Sequence, residues 1–310
     1  MAEAEALSSP ELLAGFTPRR QRGLWSDAFF RLTRNRLAMA ALVMLIALVT
    51  LAVLGNNVEA IQRYSPREQN TDVLLAGPSW AHFFGTDNLG RDNWSRVLQG
   101  TLISLQVGFG VQAIVLVIGL TVGGLAALGG RMLDNIMMRI TDIFYAFPDL
   151  LFIILMRAVL QNRDWPILGD PVPQMIFAIA FVAWVTVARL VRGQMLSLKE
   201  RDFILASRAM GAGNFRIVTQ HMLPNTLGPV IVAVVFGIPL AIFAEAVLGF
   251  IGFGVPPPTA SLGRLVADGY NFIRTNIWMV LFPAGTIAIL MLSFTFLGDG
   301  LRDALDPRAR

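Results

Sequence analysis

The chain has 310 residues, of which 55% are hydrophobic and only 15% charged, with a formal net charge of +4 and no cysteine. A soluble domain carries about 25% charged residues, so the composition excludes an ordinary globular domain, and the absence of cysteine excludes a disulfide framework and thiol chemistry. A mean hydropathy of +0.61 with a pI near 10.3 points to a membrane protein whose basic residues gather on one side, rather than to a nucleic-acid binder.

Residues 1–36 form a polar tail. Within it, "LWSDAFFRLTRNR" places Leu24, Ala28, Phe29 and Leu32 at helical spacing among arginines. That pattern suits a helix lying on the membrane surface, with a disordered basic tail as the alternative. Six apolar runs follow, at residues 37–54, 103–128, 140–160, 175–190, 227–248 and 277–297. Each is about long enough to cross a bilayer. The first is expected to be a retained anchor, because a 36-residue lead precedes it and no small-residue cleavage site follows "LAVLGNN". The second and fifth contain glycine or proline, which membrane helices tolerate. The expected organisation is a tail, 1–36, and a transmembrane domain, 37–310, with an outer loop at 55–102 and a long polar loop at 194–225.

Orientation follows from lysine and arginine. With the N-terminus inside, the inner side holds Arg19, Arg20, Arg22, Arg31, Arg34 and Arg36, then Arg131 and Arg139. It also holds Arg189, Arg192, Lys199, Arg201, Arg208 and Arg216, then Arg302, Arg308 and Arg310. The outer side holds Arg63, Arg67, Arg91, Arg96, Arg157, Arg163, Arg264 and Arg274. This bias places both termini, and the 194–225 loop, in the cytoplasm.

The chain lacks the equipment of several enzyme classes. Its one lysine, Lys199, lies between Leu198 and Glu200, so there is no P-loop. Its two histidines, His82 and His221, fall on opposite sides, and there is no HExxH and no Gly-x-Ser-x-Gly elbow. "FLGDG" at 296–300 only approaches the glycine–aspartate pattern of intramembrane aspartyl proteases.

The polar loop is more informative. "FILASRAM" reads as a helix, Gly211 and Gly213 interrupt it, and "NFRIVTQHML" starts a second helix with Asn214 as N-cap. Pro224 ends that piece or enters the next span as an early helical residue. Small residues, Phe203 and Phe215 as apolar anchors, and a rim of arginines give this object the make-up of a gripped surface.

Here the chain resembles the permease subunits of bacterial ABC importers, which carry a cytoplasmic Glu-Ala-Ala-x3-Gly-x9-Ile-x-Leu-Pro loop. Leu205, Ala206 and Ser207 occupy the first three positions, Gly211 is the glycine, and His221, Met222, Leu223 and Pro224 follow at the right spacing. Leu205, Ser207 and His221 depart from the pattern, so no glutamate contact is expected at 205. "RAMGA…RI…H.LPN" resembles in particular the second ("C") permease of the dipeptide/oligopeptide/nickel branch. So do "HFFGTDNLGRDNWSRVLQGTLISLQVG", "MMRITDIFYAFPDLL", "EAVLGFIGFGVPPPTASLG" and "LGDGLRDALDPR". The matches run from about residue 26 to 308, while residues 161–173 look longer than is usual and the acidic first 15 residues look variable.

The resemblance implies an all-α integral membrane protein of the type I importer permease fold, with six transmembrane helices, cytoplasmic termini and coupling helices between spans four and five. It also implies a prokaryotic inner-membrane location and a peptide cargo rather than nickel. Its implied partners are a second permease, two ATPase subunits that hold ATP and Mg, and an extracytoplasmic binding protein. No cofactor or metal is expected in this chain. The implied coupling residues are Phe203, Ala206, Ser207, Arg208, Met210, Gly211, Ala212, Phe215, Arg216, Leu223 and Pro224. Gly211 read alone is also a plain helix breaker. Glu245 and Asp149 are candidates for the translocation pathway or gate, since intramembrane carboxylates are functional candidates by default. Structural capping is the other reading of Glu245, and for Asp142 and Asp149 it is pairing with Arg139. "GTDNLGRDNWSRV" is either a simple helix start or a packing element at the outer gate. A permease for another solute and an ion-driven secondary transporter are the alternative functions.

Overall fold

The computed structural model describes residues 24–160 and 169–306. The tail before residue 24, most of the 161–173 segment and the last four residues lie outside the described residues. The described chain is helical, with a single isolated bridge between Thr86 and Asp92.

Helix α1 (Leu24–Arg34) turns at Asn35 into α2 (Arg36–Asn57). The Asn35 side chain accepts from the backbone N–H groups of Leu37 and Ala38 at 3.1 Å, which satisfies the start of α2. A short α3 (Glu59–Gln62) and an irregular outer segment lead to α4 (Asn93–Leu128). Asp92 caps α4 by accepting from Ser95 N at 2.9 Å. The helix therefore begins ten residues before the expected span, and the outer loop is shorter than 55–102. The rest of the chain is α5 (Gly130–Ala146), α6 (Asp149–Leu160), α7 (Pro171–Lys199), α8 (Asp202–Ala209), α9 (Asn214–Ile217), α10 (Leu223–Phe250), α11 (Leu262–Tyr270) and α12 (Trp278–Leu305).

Among the described residues, five stretches are long and apolar enough to cross a membrane: α2, α4, α7, the run from α9 through α10, and α12. The direction of each follows from which residues touch. Gly119 of α4 abuts Val187 of α7, and Gly123 abuts Ala188 and Val191. Gly110, earlier in α4, abuts Ile176, earlier in α7. The two helices run parallel. Gly108 meets Ile238 and Ile242 of α10, whereas Ser104, one turn earlier in α4, meets Glu245, so α10 runs antiparallel to α4. Gly300, near the end of α12, meets Ala38, near the start of α2, so these two helices are antiparallel; Gly55, at the end of α2, meets Leu98, near the start of α4, so α2 is antiparallel to α4 as well.

Parallel neighbours need a return crossing between them. The α5–α6 pair supplies it, which makes six crossings and leaves α1, α8 and the end of α12 on one side. This return is not the straight helix expected at 140–160. It bends by 90° at Phe147 and Pro148. Pro148 has no N–H for the helical ladder, and its ring pushes the preceding residue toward extended geometry, as found at Phe147 (φ −90°, ψ 138°).

Close approach at the glycines is what joins α4 to α7. A Cβ on Gly119 would lie 2.6 Å from Val187 Cγ1, and one on Gly123 would meet the Ala188 carbonyl oxygen. The core continues through Val107, Val111, Val115, Met175, Ala178 and Val191, all buried. Helix α1 does not lie free on a surface. Ala28 is buried and Leu32 packs toward Gly300 of α12, while Phe29 and Phe30 face outward.

Arg157 ties the return crossing to the outer end. Expected among the outer loop charges, it is instead 1% exposed. It donates to the carbonyls of Gly254 (3.0 Å) and Phe253 (3.3 Å) and to Gln174 Oε1 (2.8 Å).

The stabilities of three variants check this architecture. Gly123→Ala should lower the melting temperature of the purified protein, at a cost of about 1–3 kcal/mol for overpacking against backbone. Gly124→Ala, where a Cβ finds only Met195 at 3.8 Å, should leave it within a degree or two. Arg157→Met should also destabilise, by about 1–3 kcal/mol, because it strands buried carbonyls.

Candidate functional site

The crossings place the 200–225 segment at the end of the molecule that also holds α1 and the end of α12. It is a helix, a turn and a helix. The α8 helix ends at Met210, whose N–H bonds Ala206 O at 3.0 Å. Gly211 then adopts φ +84°, a left-handed conformation in which glycine avoids the cost met by other residues. Ala212 N returns to Ser207 O at 3.1 Å, closing the turn. Gly213 is the N-cap of α9 and Asn214 is the first helical residue, not the cap expected from sequence.

A π-turn over Val218–Met222 joins α9 to α10 without a break in the helix. Pro224 lies in the first turn of α10, and its missing N–H cannot serve the preceding turn. Side chains stitch this irregular region. Asn225 Nδ2 donates to His221 O at 2.6 Å, and Thr226 Oγ1 donates to Met222 O at 2.8 Å. Such π-turns occur mostly at functional positions.

The loop has an anchored face and a free face. Ile204, Ile217 and Met222 are at most 1% exposed and belong to the main core, with Met195 of α7 beside them. The opposite face presents Phe203 (45% exposed), Met210 (82%) and Phe215 (83%). Ala206, Arg208, Gly211, Arg216 and Pro224 are also exposed. Ser207 is buried, and Ala212 and Leu223 pack against the core, so these three of the expected coupling residues support the loop rather than present it. Ile204, Ile217 and Met222 could not be told apart as the anchors from sequence, because apolar residues abound throughout the segment. Leu205, in the family's glutamate position, is 50% exposed.

The two candidate carboxylates have different settings. Asp149 is exposed in the first turn of α6, beside the break. Glu245 is completely buried and accepts from Ser104 Oγ of α4 at 2.7 Å, across the α4–α10 contact. Asp142 pairs with Arg189 of α7 at 2.7 Å, not with Arg139, and Asp134 takes Arg192 in a two-pronged contact. Arg139 lies one turn from Asp142 on the same helix, but α7 brings its arginines to the face where the carboxylates point.

At the opposite end, "GTDNLGRDNWSRV" is both a helix start and a packing element. Asp87 is fully buried, and its Oδ1 accepts from the N–H groups of Leu89 and Arg91 at 2.9 Å. Asp92, besides capping α4, holds His82 Nδ1 at 2.9 Å. Asn276 reaches back to Ala76 O at 3.1 Å, and Phe282 stacks on Phe84 with centroids 3.8 Å apart.

Comparison with known proteins places this geometry. Residues 117–310 match the family described as binding-protein-dependent transport system inner membrane component. Residues 23–78 match the N-terminal TM domain of oligopeptide transport permease C. The chain is 39% identical over 287 residues to the oligopeptide transport system permease protein OppC of Bacillus subtilis, covering 93% of this chain and 90% of the relative. It is 42% identical over 287 residues to the dipeptide transport system permease protein DppC of the same organism, covering 92% and 86%. Among solved structures, an inward-facing MetNI methionine ABC transporter chain superposes with a TM-score of 0.57 at 24% identity, covering 68% of this chain and 96% of that one, a likeness of fold. With its six crossings and the anchored helix–turn–helix between the fourth and fifth, the chain belongs to the family of binding-protein-dependent transport system inner membrane components.

Proposed function

We propose that this chain is one of two permeases in an ATP-driven importer of peptides, and that the 203–216 surface is where a partner ATPase grips it. The observation that carries the reading is the two-sided loop. Its inner face is fixed by Ile204, Ile217 and Met222, and its outer face leaves Phe203, Met210 and Phe215 uncovered. Large apolar side chains held rigidly in water are costly unless a partner covers them. The peptide cargo is supported by the named substrates of the OppC and DppC relatives. ATP and Mg belong in this reading to the ATPase subunits, and an extracytoplasmic protein delivers the cargo. The arginine bias sets the loop and both termini in the cytoplasm.

The mechanism is mechanical. ATP binding closes the two ATPases, each seated on one loop, and the loop follows its ATPase. Since α9 continues through the π-turn into α10, movement of the loop moves the fifth crossing with it. Glu245, buried against Ser104, serves in this state as a contact between the second and fifth crossings. A pathway role would require those crossings to part.

Four experiments test the proposal. Phe215→Ala changes an exposed side chain, so the stability of the chain should match the wild type within about 0.5 kcal/mol. Peptide uptake and co-purification of the ATPases should nevertheless fall at least tenfold. Unchanged uptake would remove the coupling role. Ile217→Ala should instead destabilise the chain itself by about 2–5 kcal/mol. The purified chain alone should hydrolyse no ATP, and hydrolysis by it would sink the division of labour. Single cysteines placed at Ser79 and Ser197 should label from outside and inside respectively. Labelling of both from one side would overturn the orientation.

A further inference from the structure

The outer end holds a cavity of about 250 Å³ between the 88–96 segment and the 257–272 segment. Arg91, Arg96 and Arg264 reach its wall, with Asp268, Asn88 and Thr259. Asp87 sits behind it, fully buried, and accepts from Arg91 Nε at 2.7 Å and from Arg96 Nη1. Asp268 accepts from Arg264 Nε at 2.8 Å and faces Arg96 Nη2 at 3.5 Å. Three guanidinium groups thus share two carboxylates. Arg96 is 2% exposed, and its Nε has no hydrogen-bond acceptor. A buried donor without a partner, beside one uncompensated positive charge, is a costly arrangement in a closed fold.

We propose that this cavity is a socket for one carboxylate, and that its occupant is an aspartate or glutamate side chain of the extracytoplasmic protein that docks on this face. The missing charge is a single negative one, which suits a carboxylate better than a doubly charged phosphate. Guanidinium groups match the planar geometry of a carboxylate. The volume lies below the roughly 300–1,000 Å³ that encloses a whole drug-sized ligand, so one side chain fits and a whole peptide does not. The surface nearby suits a protein. Leu89 is 38% exposed at the cavity, and Tyr270, next to the lining Asn271, is 60% exposed. Together with arginine, such aromatic and apolar groups are the usual anchors of an interface. The occupant, though not the socket, rests on the reading of the chain as a permease served by a delivery protein.

The test uses the complete transporter in nanodiscs at fixed chloride and pH. Trifluoroacetate, followed by fluorine relaxation, should bind saturably to the wild type. Thr259→Glu places a carboxylate in the cavity and should abolish that binding, while Thr259→Gln, of the same size but uncharged, should only weaken it. Affinity for the delivery protein should fall at least tenfold in Thr259→Glu and several-fold less in Thr259→Gln. Neutralising acidic residues of the delivery protein singly should reproduce the loss at one position, with no further loss when combined with Thr259→Glu. Absence of saturable trifluoroacetate binding to the wild type would overturn the socket. Saturable binding with docking indifferent to Thr259→Glu would overturn the occupant and assign the site to a free carboxylate. If no delivery protein docks on the wild type, the occupant and the transport reading both fail, while trifluoroacetate still decides the socket.

Discussion

The parallel contact between α4 and α7 is the constraint on which the rest of the molecule depends. Two neighbours pointing the same way oblige the chain to cross back between them, and glycine at 110, 119 and 123 lets the backbones come close enough for that contact to hold. The return crossing then has little room. It is split by Pro148 into two short helices at right angles, and its exposed side carries Ile143, Tyr145, Phe147, Leu150 and Leu151. Backbone that leaves helical geometry at membrane depth must be covered by protein or line water. In the proposed assembly, the second permease provides that cover.

Charge buried near the outer end follows the same economy. Arg157 meets only neutral acceptors, and it gathers two loop carbonyls that no helix would satisfy. Glu245 meets a serine hydroxyl across a helix contact. Each group joins a segment distant in sequence to the crossing on which it sits: Arg157 holds an outer loop, and Glu245 holds two crossings together. The Asp134–Arg192 and Asp142–Arg189 pairs do the same for the first half of the return crossing.

Much of this was legible beforehand. Apolar length alone located the crossings, since the bilayer fixes how long they must be. The glycine and proline spacing of the 203–224 loop marked a turn between two helices at the right place. The break at Pro148 was not legible as a right angle, because hydropathy runs on unbroken through "IFYAFPDLL" and a proline in a membrane helix commonly gives only a kink. The partner of Asp142 was missed because Arg139 is near in sequence, whereas Arg189 becomes near only once α5 lies on α7. Likewise, which loop residues face inward depends on where α7 and α10 stand, and that is a property of the packed bundle.

The π-turn has a consequence for how far a small motion reaches. Because it joins α9 to α10 without interruption, Asn214–Phe250 is a rod of 37 residues, about 55 Å long at 1.5 Å per residue. Pivoted where Gly108 and Gln112 of α4 touch it, around Gly237 to Ile242, such a rod acts as a rocker with its long arm toward the loop. A tilt of about 10° would carry the loop tip about 7 Å and the outer tip about 3 Å at 1.5 Å per residue, and the two tips would travel in opposite senses. An inward swing at the loop end would therefore be read at the outer end as a swing away, with the motion inverted rather than merely relayed.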